Sequence, residues 1–276
     1  MDVFVTGPWH HFIVVERVDF KLFQPLSGPS RTVMIIEDIL PKWIHHLWQA
    51  PFFRRRSLWW SWKTGFMVGW HIQQLVKLQM AFIVEQQGLI LCDSDMFFLR
   101  PFDVAKLHGR EGYRFYRTTD AMDEKTISNP SYTMASFRQL GLPPDSFPAR
   151  TYVDNLVTWK ASTVRNMCAH LEKISGRDWR AALGRNIIFS EYTLYGLYVE
   201  RLAKELDLSP TSDHLCQTKW TKDSEMPVNV ESFIAALSPG VVAVAFQSFL
   251  NVDHDLLRNI FDRAVRSQAA PSSPVN

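Results

Sequence analysis

Two carboxylates separated by one residue follow a short apolar run in the first half of the chain. Leu89-Ile-Leu-Cys92 predicts a buried strand, and Asp93-Ser94-Asp95 comes directly after it. Carboxylates in this position are costly unless something neutralises them, and their oxygens suit a hard divalent cation. In an open α/β sheet, ligands bind just beyond the carboxyl ends of the strands. The pair Asp93 and Asp95 therefore predicts a metal site, although a bare D-x-D is also found in solvated turns.

The elements before this pair predict an α/β fold. Residues 70–87 carry apolar side chains at helical spacing, and Gly88 is a plausible stop. The runs His11–Glu16 and Thr32–Glu37 are continuously apolar, which is typical of strands in a parallel sheet that is covered on both faces.

Further elements are predicted after the acidic pair. They are a strand at Tyr152–Trp159, a helix at Ser162–Ser175 capped by Ser162 and closed by Gly176, a helix at Ser190–Leu206 opened by Ser190, and a strand at Val241–Gln247. We expect residues 1–265 to form a single domain. Residues 266–276 are rich in Ala, Ser and Pro and are expected to be a disordered tail.

Two stretches of the sequence resemble the helix, strand and DXD motif of GT-A glycosyltransferases. These are Gln74-Leu-Val-Lys77-Leu-Gln-Met-Ala and Gly88-Leu-Ile-Leu-Cys-Asp93-Ser-Asp95. Together with Gly69-Trp70, Gln73, Met96-Phe-Phe-Leu-Arg-Pro-Phe102 and Phe189-Ser-Glu191-Tyr-Thr-Leu-Tyr-Gly196, they look like an uncharacterised bacterial family of presumed glycosyltransferases, over most of residues 11–220.

This resemblance implies a Rossmann-type fold, with a mixed, mainly parallel sheet flanked by helices. The first strand found here resembles the second strand of GT-A domains, so the usual first strand and helix are expected to be missing. The resemblance also implies Mn²⁺ or Mg²⁺ at the acidic motif, a UDP- or GDP-sugar donor, and a glycan or glycolipid acceptor in bacterial surface polysaccharide or glycolipid synthesis. The donor-binding residues that we predict are Trp70, Gln74, Lys77, Asp93, Ser94 and Asn155.

Each of the remaining candidate residues also has a purely structural interpretation. Glu191 resembles the late acidic residue that inverting GT-A enzymes use as a catalytic base, but a Glu in a first turn also favours the helix dipole. Lys77 can offset phosphate charge or be a solvated surface lysine. Asp154, predicted as a second catalytic residue, and Asn155 interrupt an apolar run and either face the sugar or form a buried polar pair. His214 resembles the third metal ligand of many GT-A enzymes, but a lone histidine is more often a packed or surface residue.

The composition limits the partners and the compartment. A net charge of +2 is too small to predict nucleic-acid binding. Three widely spaced cysteines, the lack of a signal-peptide pattern at the N-terminus and the lack of a long apolar run predict a cytoplasmic protein. Ten tryptophans indicate either a Trp-rich core or a sugar-binding cleft.

The segment Pro51–Trp62 combines three arginines with aromatic residues. This composition suits peripheral contact with a membrane, a flap over the substrate, or a surface loop.

Two other functions are compatible with these patterns. A nucleotidyltransferase would share the sheet and the metal carboxylates, but no Gly-rich phosphate loop follows the first predicted strand. A protein that binds a sugar or a nucleotide without catalysis would tolerate the loss of Asp95 and Glu191.

Overall fold

The computed structural model describes residues 1–47, 57–109, 112–118, 130–144, 149–203, 207–219, 230–247, 250 and 252–269. Its strands are β1 (Val5–Thr6), β2 (His11–Val15), β3 (Arg31–Ile35), β4 (His45–Leu47), β5 (Leu58–Ser61), β6 (Gly65–Val68), β7 (Gly88–Cys92), β8 (Met96–Phe98), β9 (Phe102–Asp103), β10 (His108–Gly109), β11 (Gly112–Tyr116), β12 (Leu156–Lys160), β13 (Leu208–Thr211), β14 (Cys216–Lys219) and β15 (Ala243–Phe246). Its α-helices are α1 (Phe20–Phe23), α2 (Ile36–Ile39), α3 (Gly69–Met80), α4 (Pro130–Gln139), α5 (Ala161–Ser175), α6 (Trp179–Gly184), α7 (Glu191–Arg201), α8 (Val230–Ala235) and α9 (His254–Ala269). Short 3-10 helices span Gln24–Leu26 and Val104–Leu107.

The predicted mixture of helices and strands is confirmed, but the sheets are small and mixed. Parallel pairs are β1–β9, β2–β3, β11–β13 and β14–β15. Antiparallel pairs are β4–β5, β5–β6, β7–β12, β8–β15 and β10–β11. The described strands therefore do not form the mainly parallel sheet that we expected, because an apolar run predicts a strand without giving the direction of its partner.

The strands β2 and β3 pair in parallel, as their apolar runs predicted. Both are only half-buried along their whole length, whereas full burial was expected. Among the described residues, their sheet contains these two strands alone. The two apolar runs therefore form strands that the rest of the protein covers only in part.

The acidic motif is positioned by the antiparallel pair β7–β12. Cys92, the last residue of β7, lies opposite Leu156, the first residue of β12. Residues that follow β7 therefore lie beside residues that precede β12. This places Asp93 next to Asn155 at one end of the strand pair.

Helix α3 packs its apolar face into the main core, where Leu75 and Leu78 are fully buried. The same core includes Trp159 of β12 and Leu194 of α7. The helix begins at Gly69 and ends at Met80, and turns replace the last part of the helix predicted to residue 87. The core thus holds α3 against α7 and the β7–β12 pair.

Two predicted helix boundaries are confirmed, the start of α7 after Ser190 and the end of α5 at Gly176, whereas the stop predicted at Gly88 is wrong. Ser190 caps α7, and its Oγ accepts a hydrogen bond from Thr193 N–H at 3.3 Å. Gly176 closes α5 in the left-handed conformation, with φ of 66°. The prediction of Ser162 as the cap of α5 is wrong, because that helix already begins at Ala161.

The C-terminal boundary also differs from the prediction. Helix α9 continues to Ala269, so the disordered tail predicted from residue 266 does not begin there. Its apolar residues Leu257 and Ile260 are buried, and this packing supports the helix. Residues 270–276 and residues 51–56 of the arginine-rich segment lie outside the described residues. None of the helices described is long and apolar enough to cross a membrane.

Candidate functional site

Lys77 lies between two carboxylates from different parts of the chain. Its Nζ is 2.9 Å from Asp93 Oδ1 and 3.0 Å from Glu191 Oε1. It also donates to the hydroxyl of Tyr192 at 2.9 Å and lies 4.6 Å from the centre of that ring. Helix α3, strand β7 and helix α7 therefore meet at one charged group.

The carboxylates keep Lys77 charged although it is largely buried. Burial alone would lower the pKa of Lys77, but the nearby Glu191, Tyr192 and Asp93 outweigh burial and raise the pKa well above its usual range. The side chain of Lys77 is 18% exposed and that of Glu191 is 4% exposed. The interpretation of Lys77 as a solvated surface lysine is therefore wrong.

Glu191 is fixed by the start of α7 and by α3. The Ser190 cap begins the helix, and the Oε1 of Gln74 accepts a hydrogen bond from Glu191 N–H at 3.1 Å. Gln74 is one turn before Lys77 on α3, so the two side chains share a face of that helix. Gln73 is exposed, because adjacent residues of a helix point about 100° apart.

Asp95 differs from Asp93 because Lys77 does not neutralise it directly. Its Oδ1 is buried and forms no hydrogen bond. Burial and the neighbouring charge of Asp93 raise the pKa of Asp95. Its backbone carbonyl accepts a hydrogen bond from Phe246 N–H at 3.2 Å, which ties the motif to β15, while Ser94 between the two aspartates is exposed.

These features fit a divalent cation at Asp93 and Asp95. An unpaired buried carboxylate oxygen is unfavourable by itself, and a hard cation is the type of ligand that it prefers. Within the described residues, however, no three His, Cys, Asp or Glu side chains lie close enough to hold a metal ion together. Asp93 and Asp95 therefore fit a metal site in which the protein supplies two carboxylates and the substrate or water supplies the other ligands.

The structure connects His214 to Asp154 instead of to the acidic motif. His214 Nδ1 is 3.5 Å from Asp154 Oδ2, which is an ion-pair distance and leaves this buried oxygen without a hydrogen bond, and His214 Nε2 is 3.2 Å from the hydroxyl of Tyr116. The nearby Asp154 carboxylate outweighs burial and raises the pKa of His214. Among the described residues, His214 therefore does not form a group of three metal ligands with Asp93 and Asp95.

Asp154 and Asn155 precede β12 and are 3% and 2% exposed. Asp154 Oδ1 accepts a hydrogen bond from Asn155 N–H at 2.8 Å. The side-chain amide nitrogen of Asn155 is buried without a hydrogen bond, as is that of Gln74. Two unpaired amide donors therefore accompany the unpaired oxygen of Asp95.

Trp70 lies at the start of α3 and is 45% exposed. It contacts Tyr132 edge-on, with ring centres 5.6 Å apart.

An open cavity of about 450 Å³ lies elsewhere, beside β11 and β13, and is lined in part by Arg114 and Ser209. None of the predicted site residues lines that cavity.

Sequence reasoning missed Tyr192, Tyr116 and Arg114. Tyr192 is next to Glu191 and turns toward Lys77, but a tyrosine in a helix gives no signal of that contact. Tyr116 and Arg114 are two residues apart on β11, and both interact electrostatically with Asp154. Their positions at i and i+2 on a strand place them on one face, which is the only signal that the sequence offered.

The fold and site define a mixed α/β protein with an acid-rich cluster at the end of the β7–β12 strand pair. The chain belongs to a family of unknown function, DUF6492, whose model matches residues 3–255. No curated protein matches the chain.

Proposed function

We propose that this protein is a metal-dependent glycosyltransferase, which moves a sugar from a nucleotide-sugar donor to a hydroxyl group of a glycan or glycolipid acceptor. The observation that carries the proposal is the Asp95 carboxylate, which has a buried, unpaired oxygen beside Asp93 at the end of β7. The resemblance of this segment to the GT-A motif gives the reaction class.

The charge balance of the cluster supports a cation as its missing component. Asp93, Asp95 and Glu191 supply three carboxylates, while Lys77 is the one cation that pairs with them among the described residues. A bound Mn²⁺ or Mg²⁺ would neutralise charge on the departing diphosphate as a Lewis acid. Asp93 and Asp95 are the residues that would hold it.

The unpaired amide groups support a polar ligand in the same place. Buried polar groups in native proteins are nearly always hydrogen-bonded, and an orphan donor is expected to find a partner. Four of the ten such atoms in the described part of the chain belong to predicted site residues, namely Gln74, Asp95, Asp154 and Asn155. Gln74 and Asn155 would donate to phosphate or sugar oxygens.

Glu191 is the residue that we assign to accept the proton of the acceptor hydroxyl. One carboxylate oxygen binds Lys77, which leaves the second available for a hydroxyl that enters the site. Because Glu191 is almost completely buried, it would act on a bound acceptor and not on bulk water. Asp154, whose unpaired Oδ2 lies 3.5 Å from His214, would orient the sugar from the β12 side.

Calorimetric titration of UDP and GDP, with and without Mn²⁺, tests the metal site. We expect metal-dependent binding of one nucleotide to the native chain and its loss in Asp95→Ala. Asp19→Ala is the matched control, because Asp19 is exposed and caps α1 without a side-chain hydrogen bond. Binding that is absent, or that does not change with Mn²⁺ or with Asp95, would contradict the proposal.

Glu191→Gln separates binding from transfer. The variant keeps the shape of the side chain, so we expect nucleotide binding to persist while transfer or hydrolysis of the donor sugar is lost. A protein that only binds sugar nucleotides would show no turnover in the native chain either. A nucleotidyltransferase would instead consume nucleoside triphosphate and sugar phosphate and release pyrophosphate.

A further inference from the structure

A row of exposed aromatic residues crosses the antiparallel sheet formed by β4, β5 and β6. His45, Trp60 and Phe66 lie directly opposite one another on the three strands, and so share one face. Phe66 is 70% exposed, and the rings of His45 and Trp60 are stacked with centres 6.3 Å apart. The opposite face carries Trp59 and Met67, which are buried in the core.

Two neighbouring segments extend this apolar surface. Trp62, in the turn between β5 and β6, is 68% exposed, and Ile187, in the loop after α6, is 82% exposed. The loop lies against the turn, because Arg185 Nε donates to the carbonyl of Lys63 at 2.6 Å. At Gly184 a β-carbon would be only 2.8 Å from Thr64, which shows how closely the two segments approach.

The segments that carry this surface contain cations but no acidic residue, although Lys42, Lys77 and Arg180 pair with acids from outside these segments. Residues 40–84 contain no Asp or Glu, and their cations are Lys42, Arg54, Arg55, Arg56, Lys63 and Lys77. Residues 179–190 likewise contain Arg180 and Arg185 but no acid. On the hairpin itself, Lys63 Nζ lies 4.7 Å from the centre of the Trp43 ring and 5.0 Å from that of Trp62.

We propose that this surface, made of His45, Trp60, Trp62, Lys63, Phe66 and Ile187, binds a lipid bilayer that contains anionic lipids. Aromatic side chains favour the headgroup region of a bilayer, and lysine can keep its ammonium group at the phosphates while its methylene stem is buried. Apolar area and attraction to anionic lipids together set the strength of such binding.

The same features favour a bilayer over a soluble sugar or a second copy of the chain. A sugar could stack on these rings, but a sugar site is a cleft that surrounds its ligand, whereas this is an outer sheet face on which Trp62, Phe66 and Ile187 are 68–82% exposed. A second copy would bring the Lys63 side chains of both copies together without a facing acid, because neither residues 45–68 nor residues 185–190 contain Asp or Glu. This inference goes beyond the proposed function, since it does not depend on the chemistry at Asp93 and Asp95.

Sedimentation of the full chain with vesicles tests the proposal. The vesicles are made of phosphatidylcholine alone or of phosphatidylcholine mixed with phosphatidylglycerol. We expect stronger binding to the mixed vesicles, and the double variant Trp62→Ala, Phe66→Ala should weaken it by about tenfold or more. Leu22→Ala is the matched control, because Leu22 is 75% exposed on α1, outside this surface, and its loss should leave binding unchanged.

A second double variant isolates the electrostatic part. Lys63 lies on the surface itself, and Lys42 is 84% exposed but lies 4.0 Å from Asp38, so Lys42→Gln, Lys63→Gln should weaken binding to the anionic vesicles by roughly fivefold for Lys63 and by less for Lys42. Binding to pure phosphatidylcholine should change little.

Three results would overturn the proposal. The first is that neither kind of vesicle sediments the native chain. The second is that the aromatic variant binds as well as the native chain does. The third is that analytical ultracentrifugation finds a dimer that the aromatic variant abolishes, because the surface would then be covered by a second copy. Circular dichroism spectra that match the native spectrum would establish that the variants are folded.

Discussion

The two ends of helix α7 carry ion clusters with opposite excesses of charge. At its first residue, Glu191 pairs with Lys77, which also pairs with Asp93. Asp95 lies nearby, so the carboxylates outnumber the cation. In its last turn, Glu200 lies 2.5 Å from Arg117 and 3.2 Å from Arg150, so that cations outnumber the carboxylate.

The helix itself explains part of this difference. Partial positive charge at a helix N-terminus stabilises an acid there, whereas the C-terminus disfavours one. Glu200 therefore needs compensation, and two arginines and the Tyr152 hydroxyl at 2.7 Å provide it. The charge of Glu200 is fully compensated by its partners, whereas the cluster at Glu191 has more carboxylates than cations. That contrast is the physical reason to look for a cation at the N-terminal end.

Lys77→Met should have the largest effect on stability. It leaves Asp93 and Glu191 close together without their cation, and removing one partner of a buried ion pair costs about 3 kcal/mol or more. Urea unfolding followed by circular dichroism measures this cost.

The double variant Lys77→Met, Glu191→Gln is the control for that experiment. Glutamine removes the orphaned charge, so the double variant should recover part of the lost free energy of unfolding. A cost for Lys77→Met of less than about 1 kcal/mol would mean that the cluster behaves like a surface ion pair, and the contrast between the two ends of α7 would fail.

Glu200→Gln should have an intermediate effect, which depends on pH. Burial opposes ionisation, but the Tyr152 hydrogen bond and the arginines outweigh it and lower the pKa of Glu200. The stabilisation is therefore fully present above the ordinary pKa of 4.5 and is lost as the pH falls through the lowered value. At neutral pH, we expect the variant to lose about 1.5 kcal/mol.

The pH profile separates this explanation from a simple packing effect. The difference in unfolding free energy between the native chain and Glu200→Gln should shrink in acid. A difference that stays constant from neutral pH to well below pH 4.5 would show that the ion pairs do not cause it.

The sequence identified the charged residues of the Glu191 cluster one by one, but not their contacts, and it did not identify the Glu200 cluster. Asp93, Lys77 and Glu191 were each identified from motif, spacing and resemblance, with separate roles as a metal ligand, a donor-binding residue and a base. Lys77 and Glu191 are 114 positions apart, so no local pattern could indicate that they meet. Glu200 gave no signal, because a Glu in an amphipathic helix is ordinary.

For the fold, too, local features were predictable from the sequence and long-range contacts were not. The apolar run at β7 predicted the strand to within one residue, and the Ser190 cap predicted the start of α7. The antiparallel direction of β12 was not predictable, because strand direction depends on where the connecting chain returns. The end of α3 at Met80 was also missed, since the turns that follow it keep Val84 buried and so continue the apolar pattern.

Ser190→Ala should have a smaller effect, confined to the N-terminal end of α7. The hydroxyl accepts hydrogen bonds from the backbone N–H and the side-chain Oγ1 of Thr193, at 3.3 and 3.1 Å. Loss of an N-cap costs about 1 kcal/mol. Because Glu191 follows directly, we also expect weaker donor turnover, whereas Ser190→Thr should preserve both stability and turnover, because threonine also caps a helix with its hydroxyl and adds no charge to the acidic cluster.

Asp207→Asn should have the smallest effect and gives a reference for the other pairs. Asp207 binds Lys160 through both oxygens, at 3.0 and 2.7 Å, and this hydrogen bonding lowers the pKa of Asp207. Its side chain is nevertheless 47% exposed, so water and salt screen the pair, and we expect a loss below about 1 kcal/mol. Repeating the unfolding in high salt should reduce this loss further, while the loss in Lys77→Met should persist, because a buried pair is screened much less. An equal response of the two pairs to salt would mean that burial does not distinguish the cluster at Glu191 from an ordinary surface contact.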